Sequence, residues 1–135
     1  MTRVLLVEDD DNERFTLTRV LERAGYEVEA LPRGAEALGA LAATRCDVMI
    51  TDLMMPGVDG LSLARRVHER HPELPIVLTS AFPMCRAQLD RLDIATAHFL
   101  AKPLDLDRLL AVLQPPALPD PAGPRRPPLD ATPPR

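Results

Sequence analysis

The sequence predicts an α/β domain: a five-stranded parallel sheet, doubly wound, with five helices distributed over both faces. Three observations lead there. Short apolar runs alternate with longer segments whose apolar residues recur at helical spacing. The runs Val4 to Val7, Val48 to Ile50 and Ile76 to Leu78 are continuous rather than alternating, as strands covered on both faces require. Acidic, hydroxyl and basic residues stand just past those runs, at the carboxyl ends where open parallel sheets carry their sites.

The elements follow in order. Val4 to Val7 is the first strand, and Glu8, Asp9, Asp10, Asp11 and Asn12 form an acidic loop after it. Phe15, Leu17, Val20, Leu21 and Ala24 then mark a helix that Gly25 stops. Tyr26 to Leu31 is a second strand. The next helix carries Ala35, Ala37, Leu38, Leu41 and Ala42, and Gly39 inside it costs roughly 1 kcal/mol relative to alanine. The third strand, Val48 to Ile50, ends in Asp52 and a loop with Pro56, Gly57, Asp59 and Gly60. In that loop Gly57 and Gly60 would let the backbone approach a ligand. Leu61, Leu63, Ala64 and Val67 mark a third helix, and Ile76 to Ser80 is the fourth strand. Residues 83–92 carry a weaker helical pattern. His98 to Leu100 is a short fifth strand running into Lys102, and Leu104, Leu106, Leu109, Leu110 and Leu113 form the last helix. From Gln114 prolines crowd the chain, at 115, 116, 119, 121, 124, 127, 128, 133 and 134, so residues 114–135 are read as a disordered, partly polyproline tail after a single domain over 1–113.

The bulk composition narrows the function. With 135 residues and 46% apolar content, the chain buries a core without disulfide staples. A net charge of −4 provides no basic footprint, so direct nucleic-acid binding is not expected. Cys46 and Cys85 match no metal spacing and are read as reduced, core-packing thiols. The first apolar run is too short for a secretion signal and no stretch is long enough to span a bilayer, so a cytoplasmic location without a membrane partner is expected. His68, His71 and His98 are read as solvated or packed side chains rather than ligands.

At the strand ends stand Glu8 and Asp9, Asp52, Ser80 and Lys102. Asp52 alone could be a turn residue, a metal ligand or a nucleophile. Asp10, Asp11 and Asn12 are read as caps complementing the helix dipole. Two carboxylates about 4 Å apart repel by roughly 4 kcal/mol at an effective dielectric near 20. Three together therefore require a cation or a retained proton. Oxygen ligands select a hard ion, and a few carboxylates with waters suit Mg2+, or Mn2+ in its place. A phosphoryl group could fill the open positions, with the Lys102 ammonium and Ser80 hydroxyl taking its other oxygens and Asp52 as the nucleophile.

These residues resemble the receiver domain of two-component response regulators, in particular single-domain chemotaxis-type regulators. The resemblance runs from about Arg3 to Leu113. Val4 to Asp9 is similar to the family's first strand and acidic pair, and Asp52 to Gly60 to its phosphoacceptor and following loop. Ser80 falls at the hydroxyl switch and Phe99 at the aromatic switch. Lys102 and Pro103 match a lysine and proline whose peptide bond the family commonly holds cis. Two departures stand out: Ala95 and Thr96 replace a small Gly-Ala pair, and the loop Ala81, Phe82, Pro83, Met84 is unusually apolar.

The resemblance implies a flavodoxin-like strand order 2-1-3-4-5 and Mg2+ held by Glu8, Asp9, Asp52 and the Met54 backbone carbonyl. A histidine kinase or histidine phosphotransfer protein would supply the phosphoryl group to Asp52. Phosphorylation would then draw in Ser80 and Lys102, turn Phe99, and reshape the face of helix 4, strand 5 and helix 5 toward a downstream partner. No enzymatic output is expected beyond weak autophosphorylation from small donors and self-dephosphorylation. Met54 and Phe82, two residues beyond Asp52 and Ser80, cannot orient a water, so that hydrolysis is expected to be slow. A monomer or weak dimer is expected, acting alone because no output domain follows Leu113. The alternatives are an interaction module of this fold that is never phosphorylated, or the receiver part of a longer regulator. An enzyme of the haloacid dehalogenase type would want a second acid where Met54 stands.

Overall fold

A computed structural model describes residues 2–55, 60–81, 93–94 and 96–113. The strands are β1 (Arg3–Val7), β2 (Glu27–Leu31), β3 (Val48–Asp52), β4 (Ile76–Ser80) and β5 (Ala97–Ala101). All neighbours pair in parallel, in the order β2-β1-β3-β4-β5. The continuous apolar runs are the central strands: every residue of β3 and β4 is buried, and all of β1 after Arg3. The edge strand β2 is only half-buried. A position between two neighbours, with helices above and below, leaves no solvent face, and polar residues enter these strands only at their carboxyl ends, as Thr51, Asp52, Thr79 and Ser80.

One face of the sheet, with Leu5, Val7, Met49, Ile76 and Leu78, packs against α2 (Ala37–Ala43) through Ala37 and Leu41 and against α3 (Gly60–Arg70) through Leu63, Ala64 and Val67. Half-buried Phe99 and Cys46 pack against the same cluster. Helix α1 (Asp11–Arg23) lies against β1 and β2, and its buried Leu17 and Leu21 are not part of that cluster, which places it on the opposite face. The C-terminal helix, Leu106–Leu113, lies in a separate compact unit beginning at Leu106, with Leu109 and Leu113 buried. The helix expected over 83–92, Cys85 and the proline-rich tail lie outside the described residues.

Helix α1 ends as Gly25 requires. Gly25 has φ +98°, its amide donates to the Glu22 carbonyl at 3.0 Å, and the Tyr26 amide donates to the Leu21 carbonyl at 3.0 Å. This paired closure satisfies carbonyls the helix leaves open, and the left-handed turn costs a residue without Cβ little. The expected apolar stripe of α1 needs correcting at Ala24, which is the exposed C-cap, and at Phe15. Phe15 is exposed, with the Arg19 guanidinium 5.6 Å above its ring, because it falls about 200° around the helix from Leu17. The inward position of that turn belongs instead to Arg14, which donates to the Glu8 carbonyl at 2.9 Å.

Gly60 also differs from expectation. It begins α3, and its amide donates to the Leu53 carbonyl at 3.0 Å. A Cβ there would lie 2.6 Å from the Leu53 Cα and closer still to the Asp52 carbonyl oxygen. Its reason is steric, a helix start pressed against the exit of β3, rather than approach to a ligand. Gly57 lies outside the described residues.

Candidate functional site

Register builds the site. Val7 lies beside Thr51, Asp52 beside Thr79, and Ser80 beside Ala101. The next residues along, Glu8 and Asp9 after β1 and Lys102 after β5, therefore emerge at the same rim as Asp52. Carboxylate oxygens of Glu8, Asp9 and Asp52 lie within 4.8 Å of one another, with Glu8 and Asp52 buried and Asp9 exposed.

A cation relieves part of the crowding. The Lys102 ammonium reaches over β4 and donates to Asp52 Oδ2 at 2.9 Å and to Glu8 Oε1 at 3.1 Å. Burial pushes the Glu8 carboxyl up to about 7, against the pull of the Asp10 amide and Lys102. Desolvation works to lower the Lys102 ammonium, but its hydrogen bonds to Asp52, Glu8 and Glu13 outweigh it and hold the group above the ordinary lysine range.

Asp52 is held at both oxygens, since Oδ1 accepts from the Met54 amide at 3.0 Å. The Leu53 amide continues β3 pairing by donating to the Thr79 carbonyl at 2.8 Å. The Lys102 amide donates to the Ser80 carbonyl at 2.8 Å, and the Lys102–Pro103 peptide bond is cis. Ser80 is buried at the end of β4, Phe99 faces the core cluster, and the Met54 side chain is 61% exposed. Glu13, Asp52, Met54, Ala81, Lys102 and Pro103 line an open hollow of about 460 Å3. Phe82 lies outside the described residues, and His68, His71 and His98 take no part in the acidic cluster.

Glu13 was missed by sequence reasoning. Asp10 caps α1, its Oδ1 accepting from the Glu13 amide at 3.0 Å. An acid at Glu13's position commonly reaches back to accept the amide of the capping residue. Here Glu8 Oε2 accepts the Asp10 amide at 3.2 Å, and the Glu13 carboxylate turns to Lys102, with oxygens 3.1 and 3.3 Å from Nζ. The Asp10-x-x-Glu13 spacing points to a helix cap and gives no sign of Lys102.

Three carboxylates with oxygens this close fit a hard divalent ion: all donors are oxygen, and their negative charge is the kind such an ion neutralises. The fold and this rim define a flavodoxin-like α/β domain with an acidic, lysine-bridged site at its strand ends. The chain belongs to the response regulator receiver domain family, whose model matches residues 4–114. It is 36% identical over 111 residues to the DNA-binding transcriptional regulator NtrC of Escherichia coli K12, a match covering 82% of this chain and 24% of NtrC. The chain thus spans about a quarter of that relative's length. The chemotaxis protein CheY4 of Vibrio cholerae is similar in structure, with a TM-score of 0.77 at 30% identity over 84% of this chain and 96% of that one. The response regulator protein TrrA of Thermotoga maritima, solved in complex with Mg(2+)-BeF, gives 0.72 at 29% identity over 84% of this chain and 100% of its own. Among the described residues no helix is long and apolar enough to cross a membrane.

Proposed function

We propose that this chain is a phosphoacceptor, taking a phosphoryl group on Asp52 from a phosphohistidine of a histidine kinase or phosphotransfer protein. One observation carries the reading: Asp52 is buried, fixed by the Met54 amide and Lys102, and within 4.8 Å of two further acids. A carboxylate oxygen of Asp52 forms the new O–P bond as the P–N bond of the donor breaks, and the electron pair returns to the imidazole nitrogen, which takes a proton from water. Lys102 follows the charge onto the phosphoryl oxygens, and the Ser80 hydroxyl donates to another.

Glu8, Asp9, Asp52 and the Met54 carbonyl would hold Mg2+, or Mn2+. When bound, the ion neutralises the gathered carboxylates and the charge that builds on the phosphoryl oxygens. The Mg(2+)-BeF complex of TrrA supports the assignment by analogy. Readout would pass through Ser80 and Phe99 to β5, and from there to a protein partner. No chemistry of its own beyond accepting and losing the phosphoryl group is proposed.

The test is incubation with acetyl phosphate and Mg2+, read by intact mass. The wild type gains one phosphoryl group and Asp52→Ala does not. No gain in the wild type, or an equal gain in the variant, rejects the reading.

A further inference from the structure

We propose that Glu13 is a positioning residue that latches Lys102 in the unmodified protein and competes with a phosphoryl group on Asp52 for that ammonium. The proposal rests on the phosphoacceptor reading and goes beyond it, since nothing in that chemistry calls for a carboxylate on α1.

A lysine ammonium has three donors and no more. Three carboxylates surround this one: Asp52 at 2.9 Å, Glu8 at 3.1 Å and Glu13 at 3.1 Å. The donor already on Asp52 can follow the charge to a phosphoryl oxygen, and a second donor to the same group comes only if another carboxylate partner releases it. Glu8 is poorly placed to yield, because its side chain is 2% exposed and its second oxygen accepts the Asp10 amide. Asp52 becomes part of the acyl phosphate. Glu13 remains: its side chain is 45% exposed on the first turn of α1, and rotation of a few bonds carries it into water. It also lines the hollow beside Asp52, where its charge opposes an incoming anion.

The hold is therefore a modest one, that of a half-exposed ion pair, and its release is graded. Glu13→Gln keeps the length and helical character of the side chain but gives up the charge. Glu13→Asp keeps the charge but shortens the reach to Lys102. Asp11→Asn removes a charge from the same helical turn, where the carboxylate is 87% exposed and paired with Arg14.

Fluoroberyllate binding in saturating Mg2+, followed by titration calorimetry, reads the competition. Glu13→Gln and Glu13→Asp should each tighten binding about 3-fold, while Asp11→Asn leaves it within error of wild type. The Lys102 ammonium resonance in nitrogen-15 NMR should shift and its protons exchange faster in both Glu13 variants before any anion is added. Unchanged affinity in Glu13→Gln, or an equal gain in Asp11→Asn, overturns the latch while the phosphoacceptor reading stands. A wild type that binds no fluoroberyllate overturns both. An ammonium resonance indifferent to Glu13 overturns the latch whatever the anion does.

Discussion

Gly60 begins α3 directly against Leu53: its amide donates to the Leu53 carbonyl at 3.0 Å, and an added Cβ would meet the Leu53 Cα at 2.6 Å. The atoms it would meet, the Asp52 carbonyl group and the Leu53 Cα, all belong to the backbone and cannot rotate aside. Gly60→Ala should therefore destabilise by about 1–3 kcal/mol, the usual cost of overfilling a packed site. Gly39 provides the contrast, with nothing within 4 Å of an added Cβ inside α2. Gly39→Ala should stabilise by about 1 kcal/mol. Urea melts of the two variants check the opposite signs, and a neutral Gly60→Ala would refute the steric account.

Lys102 is the cation that Glu8 and Asp52 share. Without divalent ions, Lys102→Met should cost about 2 kcal/mol, less than the ~3–5 kcal/mol of a fully buried broken pair because Glu8 can take up a proton. Mg2+ should restore more stability to the variant than it adds to the wild type, since it supplies the missing charge. Denaturation midpoints with and without Mg2+ decide it, and an equal Mg2+ increment in both proteins argues against a shared acidic site.

Glu8 sets a pH dependence. Burial raises its carboxyl from 4.5 to about 7. The folded protein then holds this proton more tightly than the unfolded chain, so stability from Glu8 is fully present below about 4.5 and is lost as pH rises toward 7. Wild type measured against Glu8→Gln, metal-free, should lose ground between pH 5 and pH 8; parallel curves would count against a raised Glu8.

Met54 would bear on how long a phosphoryl group proposed for Asp52 persists. Its side chain is exposed and lines the hollow beside Asp52, yet it cannot orient water. Met54→Gln should shorten the acyl-phosphate lifetime on the order of 10-fold, below the usual range for a positioned proton-transfer group because a glutamine only aligns the water. The decay of phosphorylated protein by intact mass measures it, and an untouched half-life ends the idea.

Much of this architecture was legible because burial on two faces leaves a plain record. Val4 to Val7, Val48 to Ile50 and Ile76 to Leu78 admit no polar residue, and they are the three central strands. Glu8, Asp9, Asp52 and Lys102 could be collected because parallel strands in register deliver their ends to one rim. Glu13 was not legible, because an acid in a first helical turn suits the helix dipole whether or not a lysine waits beside it. Phe15 misled for a related reason: an aromatic near an apolar stripe reads as core until the neighbouring helical position, held by Arg14, is seen to point inward. The role of Gly60 depended on how closely α3 approaches β3, a distance that no residue pattern encodes.

The bond from the Lys102 amide to the Ser80 carbonyl ties together the main chains of the two residues proposed to sense a modification. News of a change at Asp52 would leave this corner by twisting a lysine and a serine about their own bonds.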